Sequence, residues 1–129
     1  MIGGDSQTQV EGNFVSYNRS AQQGGGIFSN TWGGKFADNI VCYNEAGGGV
    51  SIFPYYISGG GIFFAGDSQP VPTVSVENCL VYHNETEERS GGVYVRLNAS
   101  VYMTNCTVAH NTAPLGKEIC MEDVLTGCI

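Results

Sequence analysis

Apolar and polar residues alternate over short stretches of the chain, and one nine-residue pattern occurs four times. The units begin near residues 10, 36, 76 and 103 and read VEGNFVSYN, FADNIVCYN, VENCLVYHN and MTNCTVAHN. In every unit the first position is apolar, the sixth is valine and the ninth is asparagine. Alternation in VSVEN and VYV predicts strands with one buried face, and no stretch repeats apolar residues at helical spacing. The pattern therefore predicts an all-β chain.

The spacing of the units predicts a solenoid. The asparagines that close them lie 26, 40 and 27 residues apart; they are Asn18, Asn44, Asn84 and Asn111. Self-similarity at a fixed period, without helical segments, indicates a coil of parallel strands in which each repeat makes one turn. Residues 1–129 are expected to form one β-helix domain or fragment of four turns, with equivalent residues about 4.8 Å apart.

The longest interval predicts an insertion. It exceeds the following repeat by thirteen residues, which we place within VSIFPYYISGGGI, as a loop at about residues 51–64. Glycine-rich runs mark one corner of each turn: GGGIF from Gly24, GGGVS from Gly47, SGGVY from Ser90 and a degraded LGKEI from Leu115. On this assignment a further GGGIF, from Gly59, is a spare copy within the insertion.

The repeated asparagines and glycines are interpreted as structural. Asparagine tolerates the left-handed conformation of sharp turns, and stacked asparagine amides can bond one another along the coil. The predicted stack consists of the four closing asparagines. Glycine suits corners where φ is positive or where a close backbone approach leaves no room for Cβ.

Composition and charge narrow the range of partners. Twelve acidic residues against five basic ones give a formal charge of −7, which repels phosphate backbones, so no nucleic-acid partner is expected. Residues 46–66 carry no charge, but seven glycines and Pro54 there oppose a membrane helix. No membrane span is therefore predicted.

The repeats resemble those of a known family. GGGI alternating with FxxN, matched literally by FADN at residues 36–39, is similar to repeats of polymorphic outer-membrane proteins and adhesin-type surface proteins. More broadly, the units resemble the right-handed parallel β-helix repeats of the pectate-lyase-like superfamily. The resemblance extends over residues 10–120 and implies a right-handed parallel β-helix from an extracellular or cell-surface protein. Its motifs encode turns and stacking, so they indicate the fold more specifically than the function.

The resemblance leaves several functions open. The interpretation we favour is a structural and adhesive module that binds a glycan or a protein through its insertion loop. The alternatives are a fragment of a carbohydrate-active enzyme (a polysaccharide lyase, hydrolase or epimerase) and a subunit that stacks end to end through its open turns. The five basic residues do not recur in register with paired carboxylates, so no catalytic residue and no cofactor are assigned. The five basic residues are Arg19, Lys35, Arg89, Arg96 and Lys117.

Two histidines are a candidate metal pair, and four cysteines are candidates for free-thiol stacking or a disulfide. His83 and His110 occupy one column of consecutive turns, which makes a weak candidate metal pair; flat ring stacking is the favoured interpretation. Cys79 and Cys106 also stack, and parallel in-register side chains disfavour a disulfide between them, so we expect buried free thiols. Cys120 and Cys128 are the better disulfide candidates, within a segment, residues 115–129, that is a candidate cap.

Aromatic residues near the insertion are the best functional lead in the sequence. The insertion carries Phe53, Tyr55, Tyr56, Phe63 and Phe64, and Trp32 lies in an earlier turn; the proposed binding residues are Trp32, Phe53, Tyr55 and Tyr56. Loops on a rigid scaffold commonly carry binding function, and exposed aromatic rings suit sugars or protein partners. The alternative is that the insertion folds back and covers the flank of the coil.

Overall fold

The computed structural model describes residues 8–30, 33–52, 56–66, 73–96, 99–123 and 127–128, with only the backbone described at 123, 127 and 128. Across these ranges the chain is all-β and contains no helix, which confirms the predicted class. It follows that the described residues include no helix able to cross a membrane.

Four successive turns carry their strands in the same order. The first contains β1 (Gln9–Glu11), β2 (Phe14–Ser16), β3 (Arg19–Ser20) and β4 (Ile27–Ser29). The second contains β5 (Gly33–Ala37), β6 (Ile40–Cys42), β7 (Glu45–Ala46) and β8 (Ile62–Phe64). The third contains β9 (Thr73–Glu77), β10 (Leu80–Tyr82), β11 (Glu85–Thr86) and β12 (Val93–Val95). The fourth contains β13 (Ser100–Thr104), β14 (Thr107–Ala109) and β15 (Ile119–Asp123), followed by β16 (Gly127–Cys128).

Equivalent strands of successive turns pair to form four sheets. Sheet A has the order β1-β5-β9-β13, sheet B β2-β6-β10-β14, sheet C β3-β7-β11 and sheet D β4-β8-β12-β15-β16. All of these pairings are parallel except β15 with β16, which is antiparallel. The chain therefore has the stacked parallel strands of a β-solenoid, and its right-handed sense stays a prediction.

The interior is filled by apolar side chains that stack on their equivalents. In sheet B, Val41 and Val81 are completely buried, and they pair with Val15 and Val108 of the outer turns. The core cluster contains Phe36, Val41, Ile62, Phe64, Val74, Val76, Cys79, Val81, Val93 and Val95. The second and third turns are covered on both sides by neighbouring turns, so they supply the whole of this cluster.

At the corner before sheet D, the second-turn glycine run that aligns with the first-turn GGGIF is not the one predicted from the sequence. Ile27 pairs with Ile62, and Ile62 pairs with Val93. The GGGIF of the first turn is therefore aligned with the GGGIF from Gly59, and the GGGVS from Gly47 belongs to the extra segment. The prediction that GGGVS marks this corner and that the GGGIF from Gly59 is a spare copy is therefore wrong. In the fourth turn the aligned residues are GKEIC, one position later than the expected LGKEI.

The thirteen extra residues are divided between two connections of the second turn. The connection from β7 to β8, residues 47–61, contains most of them and is the insertion referred to below. Ala46 in β7 and Ile62 in β8 lie sixteen residues apart, whereas the equivalent Thr86 and Val93 lie seven apart, so nine extra residues precede β8. The stretch from the end of β8 to the start of β9 is four residues longer than that from β12 to β13. Residues 62–64 thus form a strand rather than part of a loop.

The corner between sheets B and C reverses through the residue that precedes each closing asparagine. Tyr17, Tyr43, His83 and His110 have φ between 51° and 58°. The closing asparagines themselves do not have positive φ. The left-handed conformation expected at asparagine is therefore adopted by its ring-bearing neighbour, and asparagine acts through its side chain.

Candidate functional site

The closing asparagines form a continuous hydrogen-bonded ladder along the inside of the coil. The side-chain Nδ2 of Asn18 donates to Oδ1 of Asn44, Asn44 donates to Asn84, and Asn84 donates to Asn111, each at 3.0 Å. Each accepting Oδ1 also receives the backbone N–H of the preceding rung. Asn44, Asn84 and Asn111 are buried, so the ladder satisfies amides that would otherwise be costly to desolvate.

Glu118 occupies the position of a fifth rung. Its Oε2 accepts the Nδ2 of Asn111 at 2.7 Å and the backbone N–H of Asn111 at 3.3 Å. A carboxylate accepts hydrogen bonds and donates none, so it ends a ladder whose rungs all donate in the same direction. This role could not be predicted from the repeated unit, because Glu118 lies outside it.

A second column stacks rings on the outside of the same corner. Tyr17 stacks on Tyr43, Tyr43 on His83, and His83 on His110, with centroids 5.2 to 5.4 Å apart and planes within 20° of parallel. Such offset stacking is favourable for aromatic rings. The two histidines thus lie face to face as members of a stack. In the part of the chain that the structure describes, no group of three His, Cys, Asp or Glu side chains could hold a metal ion.

Three cysteines among the described residues have free thiols. Cys42 and Cys79 are buried and Cys106 is half-buried. Burial raises the pKa of the Cys79 thiol above its usual range. Cys120 is completely buried and disulfide-bonded. The side chain of Cys128 lies outside the described residues, so the pairing of Cys120 with Cys128 stays a prediction.

Three of the five basic side chains form ion pairs with carboxylates. Arg19 pairs with Glu45 in the next turn at 3.1 Å. Lys35 lies between acidic side chains and is 3.2 Å from Glu77, whose hydrogen bond and negative charge raise the pKa of Lys35. Arg96 pairs with Glu122 at 3.8 Å. Each contact joins one turn to another, which is the direction in which a solenoid needs cross-links.

Only part of the proposed aromatic binding set falls within the described residues. Trp32, Phe53 and Tyr55 lie outside them. The ring of Tyr56 is described and half-buried, and the guanidinium of Arg89 lies 3.6 Å from its centroid. This geometry is a cation–π contact that fastens the insertion to the third turn.

Carboxylates of the third turn hold the insertion in place. Oε2 of Glu88 accepts the hydroxyl of Ser51 at 2.7 Å and the backbone N–H of Ile57 at 2.9 Å. Glu87 accepts the backbone N–H of Gly48 at 2.9 Å. The described part of the insertion is therefore attached to the flank of the coil.

Phe63 and Phe64 belong to the packed strand β8. Phe64 lies in the core, and Phe63 lies in a second buried cluster with Ala65, Tyr94 and Cys120. Phe28, Phe63 and Tyr94 form a ring column with centroids 5.2 and 5.1 Å apart. Both phenylalanines are 1% exposed, so they cannot serve as the exposed aromatics expected in this region.

Tyr94 is the tyrosine of this column, and its pKa is strongly perturbed. Burial, assisted by the nearby carboxylate of Glu122, raises its pKa to about 12. Arg89 acts in the opposite direction and lowers this pKa. The folded state therefore favours the neutral phenol.

We expect the raised pKa of Tyr94 to make stability depend on pH in the alkaline range. The unfolded tyrosine ionises near pH 10, about two units below the folded one, so this contribution is present below pH 10 and is lost as the pH rises through about 12. The measurement is the midpoint of urea unfolding against pH for the wild type and Tyr94→Phe. The wild-type midpoint should fall relative to that of the variant over this window, and parallel curves would contradict the assignment.

An open groove lies where the insertion meets the first turn. Its volume is about 400 Å³, and it is lined by Ser20, Ala21, Gln22, Gln23, Phe28 and Gly49. Phe28, the first ring of its column, is 38% exposed. The amide Nε2 of Gln22 donates to the carbonyl of Val50 at 2.9 Å, which ties the insertion to the groove wall. The groove thus combines an exposed ring with amide groups, a surface that can bind a small polar ligand with apolar faces.

No family model, curated protein or solved structure matches this chain.

Proposed function

We propose that the chain is a structural and adhesive β-solenoid module of a cell-surface or secreted protein. Contacts between successive turns support this proposal most strongly. Asparagine amides hydrogen-bond to asparagines of the next turn, rings stack on rings of the next turn, and Arg19 forms an ion pair with Glu45 of the next turn. Side chains used in this way stiffen the coil and are committed to its structure. A rigid coil with a tethered insertion on one flank is suited to hold a binding surface at a fixed position.

The groove at the first turn is the proposed binding surface. The exposed ring of Phe28 offers an apolar face, and the side chains of Gln22 and Gln23 offer hydrogen-bonding groups. Neutral sugars present both kinds of surface, since their ring C–H groups are apolar and their hydroxyls are polar. The formal charge of −7 disfavours acidic glycans, so a neutral oligosaccharide is the ligand class that we favour over a protein.

Binding of neutral oligosaccharides to the purified chain tests this function. We expect Phe28→Ala to weaken binding by about tenfold or more, because loss of an aromatic hot-spot ring costs about 2 kcal/mol or more and about 1.4 kcal/mol corresponds to a factor of ten. Phe14→Ala is the matched control, since Phe14 is also an exposed phenylalanine and lies on sheet B, away from the groove. Equal affinity of the wild type and Phe28→Ala would contradict the proposed surface. Failure to bind any neutral oligosaccharide would contradict the ligand class.

A further inference from the structure

The corner between sheets A and B carries a column whose composition changes along the coil. The column contains Asn13, Asn39, Cys79 and Cys106, in consecutive turns. Asn13 donates its Nδ2 to Oδ1 of Asn39 at 3.0 Å, as in the main ladder. In the third and fourth turns two thiols replace the amides.

Each of these sulfurs lies close to a nitrogen donor. The Nδ2 of Asn39 lies 3.8 Å from Sγ of Cys79, and the backbone nitrogen of Cys79 lies 3.5 Å from Sγ of Cys106. Both N–H groups point at sulfur, so each sulfur has a donor that can hydrogen-bond to it when it carries negative charge. In the neutral state the S–H groups have carbonyl acceptors, which for Cys79 include Glu77 at 3.3 Å and for Cys106 include Val76 at 3.3 Å.

The strand register brings the two cysteines next to each other along the coil. Glu77 pairs with Thr104 before the corner, and Leu80 pairs with Thr107 after it, so Cys79 and Cys106 are equivalent positions in adjacent turns. Equivalent side chains of adjacent parallel strands lie about 4.8 Å apart. The two thiols are free, and in-register side chains that point the same way disfavour the torsion of a disulfide. A separation of about 4.8 Å can be spanned by two metal–sulfur bonds of about 2.3 Å each.

We propose that Cys79 and Cys106 form a two-thiolate site for one soft monovalent cation of the Cu(I) or Ag(I) class. The cation lies between the sulfurs and forms two metal–sulfur bonds. Both thiol protons are released to solvent, and the complex carries one negative charge.

The chemistry of the column selects soft cations. Thiolates favour Cu(I) and other soft metals, whereas structural zinc sites take four ligands. No third His, Cys, Asp or Glu joins this pair among the described residues. Cys79 is 2% exposed, while Cys106 is half-buried in the fourth turn and gives the cation a route to the site. The N–H groups at the two sulfurs stabilise the remaining negative charge.

Titration of the native chain with Ag(I) tests the site, because Ag(I) does not need a reductant. We expect native mass spectrometry to show one tightly bound silver ion per chain, with Cys79 and Cys106, of the three free thiols among the described residues, then protected from a thiol reagent. Cys79→Asn and Cys106→Asn should each abolish this binding. Asparagine already fills this column in the first two turns, so both variants are expected to fold.

Cys42→Ser is the matched control, because Cys42 is also a buried free thiol but lies in a different column. It should retain the bound ion. Binding that survives Cys79→Asn or Cys106→Asn in a folded variant would overturn the proposal. So would binding of one separate ion by each free thiol, or loss of the ion in Cys42→Ser.

Discussion

Replacement of Asn84 by alanine is expected to lower the free energy of unfolding by about 3–5 kcal/mol. The Nδ2 of Asn84 donates to Asn111 and to the carbonyls of Val41 and Tyr82, and its Oδ1 accepts two N–H groups of Asn44. Alanine leaves the buried backbone N–H of Asn44 without its acceptor, which costs about 1–3 kcal/mol, and it also removes the hydrogen bonds that the Asn84 side chain donates. Urea unfolding of the variant and the wild type measures the loss.

Asn18→Ala is the matched control for this prediction. Asn18 makes the same kind of bond to Asn44, but it is exposed, so water can replace the lost partner. Its removal should cost about 1 kcal/mol or less. Equal losses in the two variants would show that the ladder does not owe its contribution to burial.

Gly60→Ala should destabilise the coil by about 3 kcal/mol or more. A Cβ at Gly60 would lie 2.3 Å from the carbonyl oxygen of Glu85 and 2.7 Å from that of Gly91, both in the adjacent third turn. Both oxygens belong to backbone, so the methyl group can be accommodated only by separating two hydrogen-bonded turns. Urea unfolding should show a large fall in the midpoint, or no cooperative transition at all.

Gly12→Ala is the control that measures the cost of a left-handed backbone conformation without a steric clash. Gly12 has a φ of +66°, and a Cβ there would meet no heavy atom within 4 Å. Alanine in the left-handed region costs about 1–2 kcal/mol, so the loss should be clearly smaller than at Gly60. If Gly60→Ala were as mild as Gly12→Ala, the close approach of the second and third turns would be contradicted.

The fold could be predicted because the repeated unit contains its own strand and turn pattern. The inward valines, the closing asparagines and the 27-residue period all indicate one coil, and Val41 and Val81 stack as that pattern requires. The register of the glycine runs could not be predicted in the same way. GGGVS and GGGIF offer nearly the same local pattern, and the difference lies in packing: Val50 is 67% exposed, whereas Ile62 is 1% exposed.

The candidate site was harder to predict than the fold. The groove depends on the close approach of the insertion to the first turn, where a Cβ on Gly49 would lie 2.1 Å from the carbonyl of Ala21. Contacts between segments of this kind leave no periodic signal. Glu118 was missed for a similar reason, since its carboxylate replaces a ladder amide from a position outside the repeat.

The contacts among the Ile27, Ile62 and Val93 methyl groups provide the most direct test of the stacked register. Nuclear Overhauser effects between methyl groups measure them in solution. The structure predicts contacts of Ile27 with Ile62 and of Ile62 with Val93, whereas Val50 is 67% exposed and lies outside the strands. A contact between Ile27 and Val50, or the absence of one between Ile62 and Val93, would contradict the proposed stacking of the turns.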